Sequence, residues 1–261
     1  MNKPDYKNWI PKWMINAGII GIALSLILLV IFALVLHGTA KIVVCAILAL
    51  AFVFMCVYLA WSVFAYNTFS YDGKRKLSKS IIDGIANYVD LPDGATALDI
   101  GCGSGALAIA VAKRNPNANI IGCDRWGKEY ASFSMKLCAD NAKAEGIENA
   151  VFQKGDATAL PFEEEQFDAV VSNYVYHNIP SRDRQVILLE TLRTLKKGGT
   201  FAIHDIFSKQ KYGDMDSFLK KLRDMGYEKV ELIDTTDGLF MEKDESKIMF
   251  LNESKLLVGK K

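Results

Sequence analysis
The chain has almost no excess of either charge: Lys and Arg number 31, Asp and Glu 30, and the formal net charge is +1. That balance excludes a basic field able to recruit nucleic acid by bulk electrostatics. Cysteine and histidine are also sparse. Five cysteines (Cys45, Cys56, Cys102, Cys123, Cys138) form no Cys-x-x-Cys pair, and the three histidines do not cluster. A structural zinc and a disulfide framework are thereby excluded, and no metal is expected. The most telling absence is local. No charged residue occurs from Ala17 to Leu36, nor from Ile42 to Tyr66, and a helix of about 20 apolar residues crosses a bilayer.

A soluble core helix would carry polar residues with a period near 3.6, whereas both runs are apolar all round. Gly38-Thr39-Ala40 has the small residues of a signal-peptide cleavage site, yet the first run exceeds a normal h-region and a second follows at once. The pair reads as an uncleaved transmembrane hairpin joined by His37-Gly38-Thr39-Ala40-Lys41. Lys3, Lys7 and Lys12 precede it, Lys74, Arg75, Lys76 and Lys79 follow it, and only Lys41 lies between. The positive-inside rule then places both termini in the cytoplasm, and Trp9, Trp13, Trp61 and Tyr66 sit where aromatic rings prefer the headgroup level. The expectation is an integral cell membrane protein, with the hairpin offering a surface for homo-oligomerisation. Lys74, Arg75 and Lys76, with Lys79, would meet anionic headgroups at on the order of 1 kcal/mol each.

From Leu98 to Gly105 the sequence runs Leu-Asp-Ile-Gly-Cys-Gly-Ser-Gly, a strand ending, a glycine turn and the opening of a helix. Glycine at 101, 103 and 105 lets the backbone turn sharply and lie against a ligand that a Cβ would hold off. A dinucleotide-binding fold uses a related turn for a pyrophosphate. A pyrophosphate would gain nothing from Asp99, and the spacing here is Gly-x-Gly-x-Gly rather than Gly-x-Gly-x-x-Gly. Asn119 to Asp124 reads as a second strand ending in an acid suited to two ribose hydroxyls, a residue that both ligand classes need. Gly155-Asp156-Ala157 follows a third strand, Ala150 to Lys154, and Leu160-Pro161-Phe162 precedes a fourth, Phe167 to Ser172, with Asn173 after it.

In order and spacing this succession resembles the class I S-adenosylmethionine (SAM)-dependent methyltransferases, over Ala95 to Gly259. The resemblance implies a main-chain cradle at Gly101, Gly103 and Gly105, ribose bonds from Asp124 and an adenine bond from Asp156 beside Ala157. Asp99 and the backbone near Asn173 would hold the methionine end. It also implies a Rossmann-like α/β sheet of seven strands, mostly parallel, with the last strand antiparallel. Taken singly, Asp124 is equally readable as a helix N-cap and Asp156 as a turn former.

The coarse pattern agrees with that fold. A helix is expected over Leu77 to Val89, then Gly105 to Arg114, Lys128 to Glu145, Ser181 to Leu195 and Asp214 to Met225. Further strands are expected at Thr200 to His204, Lys229 to Asp234 and Lys255 to Val258; Thr235 to Asn252 fits no element. Residues 1–13 form the N-terminal segment, 14–66 the hairpin, 67–94 a linker with an amphipathic helix, and 95–261 the methyltransferase domain.

Ligands in such sheets lie beyond the carboxyl ends of the strands. Arg125, Trp126 and Tyr130 follow the second strand, Tyr174, Tyr176, His177 and Asn178 the fourth, and His204 and Asp205 end the fifth. Trp126 either stacks on adenine or packs against the next helix. In-line methyl transfer gains most from positioning, but a hydroxyl, phenol, thiol or ammonium acceptor must also lose a proton. His177 is the first candidate base, His204 with Asp205 the second, and Tyr176 completes the catalytic candidates. Asn173-Tyr174-Val175-Tyr176 lacks both prolines of the Asn-Pro-Pro-Tyr motif of amino-group methyltransferases, which leaves amine or nucleic-acid specificity unsupported. The ten residues of the linker Asn67 to Lys76 reach at most about 35 Å, so the acceptor is expected to be small, lipophilic and drawn from the membrane. A soluble acceptor with the hairpin used only for localisation, and a SAM-binding membrane scaffold without turnover, remain as alternatives.

Overall fold
The structure is a computed structural model that describes residues 3–127, 132–181 and 183–261. The chain divides into two compact units: Asn8–Lys79, and the segment ending at Lys7 together with Ser80–Lys261.

The Asn8–Lys79 unit contains α1 (Lys12–Val35) and α2 (Gly38–Phe69). Only Leu36 and His37 separate them, so the expected connection is shortened and α2 runs past Tyr66. Both helices are long and apolar enough to cross a membrane. Their side chains are largely uncovered, with Leu34 76% and Leu50 71% exposed. Where the two helices meet, glycine permits close approach: a Cβ on Gly21 would run into the Met55 side chain. At the far end of α2, Thr68 Oγ1 donates to Phe64 O at 2.9 Å, and Asn8 Nδ2 donates to Tyr66 O at 2.8 Å.

In the second unit, seven strands among the described residues form one sheet. They are β1 (Thr96–Ile100), β2 (Asn119–Asp124), β3 (Ala150–Lys154), β4 (Phe167–Asn173), β5 (Leu195–Ile206), β6 (Glu228–Asp234) and β7 (Ser254–Lys260), in the order β3-β2-β1-β4-β5-β7-β6. All pairs from β3 to β5 are parallel, and β7 lies antiparallel between β5 and β6, as expected. Helix α3 (Leu77–Ala86) precedes β1, and α4 (Ala106–Arg114), α5 (Met135–Ala144), α6 (Arg184–Arg193) and α8 (Met215–Asp224) lie between strands. Two short helices, α7 (Lys209–Tyr212) and α9 (Lys243–Ile248), were not expected. The second of these gives structure to the segment that fits no sequence pattern.

Strand alternation sorts the core. Leu98 and Ile100 join Ile187, Leu188 and Leu192 of α6 and Phe218 and Leu222 of α8 in one buried cluster. Asp99 faces the other way, toward α4. Several expected boundaries move. α3 ends at Ala86 and α6 at Arg193, while β5 starts early because Leu195 already pairs with Phe167 before the register shifts. α5 begins at Met135, where Ser134 caps it by accepting from Leu137 N. The expected start at Lys128, and the candidate Tyr130, lie outside the described residues.

Candidate cofactor and catalytic site
The sheet order reverses between β1 and β4, and the loops beyond their carboxyl ends meet there. This is the position where open α/β sheets hold ligands. Gly101, Gly103 and Gly105 all have positive φ, at +70°, +55° and +81°, a region that costs an L-residue about 1–2 kcal/mol. A Cβ on Gly101 would also collide with the Val175 side chain. Glycine there lets the turn after β4 lie directly against the loop after β1.

The loop is tied to β2 by hydrogen bonds. Gly101 N and Cys102 N donate to Cys123 O at 2.7 and 3.2 Å. Asp124 Oδ2 accepts from Gly103 N at 2.9 Å and Oδ1 from Trp126 N at 2.7 Å. Each oxygen retains a further lone pair for a ribose hydroxyl. Trp126 Nε1 donates to Gly103 O at 3.0 Å, so the indole lies on the glycine loop itself. Trp126 and Tyr174, each just past a strand end, hold positive φ of 44° and 54° without being glycine. Such backbone costs of order 1–3 kcal/mol and gathers at functional sites.

Asp99 is buried, and its Oδ2 accepts from Ala108 N at 2.9 Å, capping the first turn of α4. Burial pushes its pKa well up, against the Ala108 N–H, and the Asp124 charge adds to the rise. Asp156 Oδ1 accepts from Thr158 Oγ1 at 2.6 Å and Thr158 N at 2.9 Å. These bonds lower its pKa, and the charge of the exposed Arg125 contributes in the same direction. Ala157 packs against the core cluster.

On the acceptor side, a single turn of 3₁₀-helix, Tyr176–Asn178, carries the decisive geometry. His177 Nδ1 lies 2.5 Å from Asp205 Oδ1. Asp205 Oδ2 accepts from Tyr176 N at 2.8 Å and from His177 N at 3.2 Å. Burial raises the pKa of Asp205, but the His177 hydrogen bond and charge and the Ile206 N–H outweigh it and hold the carboxyl below its usual range. The His177 side chain is 13% exposed.

Two catalytic candidates are corrected. Tyr176 is wholly buried in the core, with its hydroxyl 2.8 Å from Thr191 Oγ1, and burial pushes its pKa up. His204 is wholly buried too; Nδ1 lies 2.8 Å from Asn173 Oδ1 and Nε2 2.9 Å from Thr235 Oγ1. Burial lowers its pKa to about 3, so it is a neutral core histidine, and Asp205 belongs to His177 instead. Asn173 thus spends its side chain on His204.

Sequence reasoning placed Tyr174 beyond the fourth strand without giving it a role, and it missed Arg184. Tyr174, whose hydroxyl is 2.7 Å from Ser254 Oγ, packs its ring 4.6 Å from His204 and 6.0 Å from His177. Arg184 donates to main-chain carbonyls around the His177 turn. The available signal was a cation at the start of a helix, where the dipole disfavours it.

A family model described as a methyltransferase domain matches residues 91–249. The chain belongs to this methyltransferase-domain family. The demethylmenaquinone methyltransferase of Lactobacillus johnsonii is 35% identical over 111 residues, covering 42% of this chain and 43% of the relative. The chain spans about half the length of the relatives it matches, at 43%, 44% and 47% for three of them. Among solved structures, the [4+2]-cyclase SpnF superposes with a TM-score of 0.55 at 18% identity, covering 72% of this chain and 82% of that one. Haemonchus contortus phosphoethanolamine N-methyltransferase 2, in complex with SAM, gives 0.51 at 16% identity over 72% of this chain and 53% of the other. These likenesses establish the Rossmann-like methyltransferase fold. The cofactor of the chain is SAM, and the residues fit it: a loop of three left-handed glycines with room beside Gly103, and an acid at the end of β2.

Proposed function
We propose that the chain transfers a methyl group from SAM to a small lipophilic acceptor at the cytoplasmic face of a membrane, with His177 as general base. The observation that carries the reading is the pair of His177 and the buried Asp205, set in a turn whose Val175 rests against Gly101. Gly101, Gly103, Gly105, Asp124 and Asp156 would hold the cofactor, with the Asp99 carboxyl at its methionine end. Bound there, SAM supplies a methyl group activated by a sulfonium. Asp205 keeps the Nδ1 proton of His177 in place and stabilises the imidazolium that forms. His177 Nε2, without a protein partner among the described residues, takes the proton of the acceptor O–H, S–H or acidic C–H as the new bond to the methyl carbon forms. Such a base contributes typically about 10²–10⁴-fold, and the rest of the rate comes from alignment.

The membrane part rests on α1 and α2. Two helices of this length with uncovered apolar faces are unstable in water and suited to a bilayer. A relative named for demethylmenaquinone adds a lipophilic acceptor to the same picture.

The test uses full-length protein in liposomes with methyl-labelled SAM and demethylmenaquinone, a fatty thiol or a phenolic lipid in the bilayer. Label entering the organic-extractable fraction, and abolished by His177→Asn, is expected. Transfer confined to water-soluble acceptors would overturn the lipophilic reading, and SAM binding with no transfer to either would return the scaffold alternative.

A further inference from the structure
Arg184 is the first residue of α6, where its charge opposes the helix dipole; among the described residues it makes no ion pair, and the N-cap Asp183 turns its carboxylate to Gln185 N. Its guanidinium is instead surrounded by main-chain carbonyls. Nε donates to Tyr176 O at 3.0 Å, and one terminal nitrogen donates to Ser181 O at 3.3 Å and Lys211 O at 3.2 Å. The other terminal nitrogen donates to Ile179 O at 3.1 Å and His177 O at 3.4 Å. Lys211 Nζ reaches the same His177 O at 3.3 Å.

The turn is therefore gripped from both sides. Asp205 accepts the N–H groups of Tyr176 and His177, while Arg184 binds the carbonyls of Tyr176, His177 and Ile179. A three-residue turn of 3₁₀-helix has few internal bonds and is poorly rigid by itself. A side chain held within tenths of an ångström of its working position needs that support from its surroundings. Arg suits the task because its planar fork donates five bonds in fixed directions, whereas Lys donates from one point.

We infer that Arg184 is a positioning residue: it fixes the backbone of the Tyr176–Asn178 turn so that the His177 ring stays on Asp205 with Nε2 directed to the acceptor. It also joins that turn to α7 through Lys211 O. The inference rests on the reading of His177 as the base. Charged and titratable groups facing the turn are Asp205 at the end of β5, Tyr174 after β4, Lys211 and Tyr212 on α7 and Arg184 itself.

The measurement is the Nδ1 proton signal of His177 in full-length protein in detergent micelles. The chain has three histidines, so His177→Asn assigns the signal by removing it. Arg184→Ala should speed exchange of that proton with water at least tenfold while SAM affinity by calorimetry stays within twofold. Arg184→Lys should fall between the variant and the native protein, and it provides the reading if the alanine variant does not fold. A lowered melting temperature with an unchanged His177 signal in both variants would overturn the proposal, leaving Arg184 a merely structural residue. Retained methyl transfer in His177→Asn would instead defeat the base reading, and the two failures are thereby separate.

Discussion

Asp205 meets His177 through both carboxylate oxygens: Oδ1 lies 2.5 Å from Nδ1, and Oδ2 accepts the His177 main-chain N–H at 3.2 Å. One buried group thus sets the position of the turn and the tautomer of the ring. Asp205→Asn keeps the shape but loses the anion that stabilises the imidazolium. Methyl transfer should fall by at least about 100-fold, with SAM affinity by calorimetry unchanged. Because the folded pKa of Asp205 is lowered, its contribution to stability is complete above the unfolded value of about 3.9 and is lost as pH falls through the folded value. Acid unfolding followed by circular dichroism should show a shallower acid limb in the variant.

His204 predicts a different pH window. Its pKa is lowered by burial to about 3, with the Asp205 charge opposing that shift only in part, while the unfolded value is about 6.5. The unfolded chain binds this proton more readily, so the stability is complete above about pH 6.5 and is lost as pH falls toward 3. The slope from this group is about 1.4 kcal/mol per pH unit. Melting curves at pH 7 and 5 should show the native protein losing more stability than His204→Gln. The variant should keep methyl transfer, since His177 is untouched.

At Gly101 two costs coincide, the positive φ and the Val175 side chain in the path of a Cβ. Gly101→Ala should weaken SAM binding at least tenfold by calorimetry. Combining it with Val175→Ala removes the collision but not the backbone strain of about 1–2 kcal/mol, so recovery should be incomplete. Full recovery would mean that the left-handed backbone is unnecessary.

The glycine loop and Asp124 were legible in the sequence because their roles follow from spacing along one strand–loop–helix unit. Tyr176 and His177 were not separable, since a loop has no period to say which neighbour turns inward; packing sends Tyr176 to Thr191 and leaves His177 to Asp205. His204 and Asp205 are consecutive on a strand and point to opposite faces, so only the sheet reveals which of them faces the site. α7 and α9 are too short for a helical period to register. Arg184 was visible only as a residue in the wrong place for its helix.

Asn141 predicts a link between the N-terminal segment and the glycine loop. Its amide is buried, accepts from Asp5 N at 2.7 Å, and donates to Asp5 O at 3.0 Å and Ser104 O at 2.9 Å. Tyr6 adds a hydroxyl bond to Glu145 Oε1 at 3.0 Å on the same helix. Residues that precede α1 are therefore pinned to α5 and, through one amide, to the loop that holds the cofactor. Asn141→Ala strands two main-chain acceptors and one donor, and each buried group left unpaired costs about 1–3 kcal/mol. Asp5 can regain water once the segment lifts away, so release of the segment is the cheaper response. Trypsin should then cut after Lys7 several-fold faster than in the native protein, with SAM slowing cleavage in the native protein and having little effect in the variant. Equal cleavage rates with and without SAM in the native protein would show that the segment and the cofactor loop are not coupled.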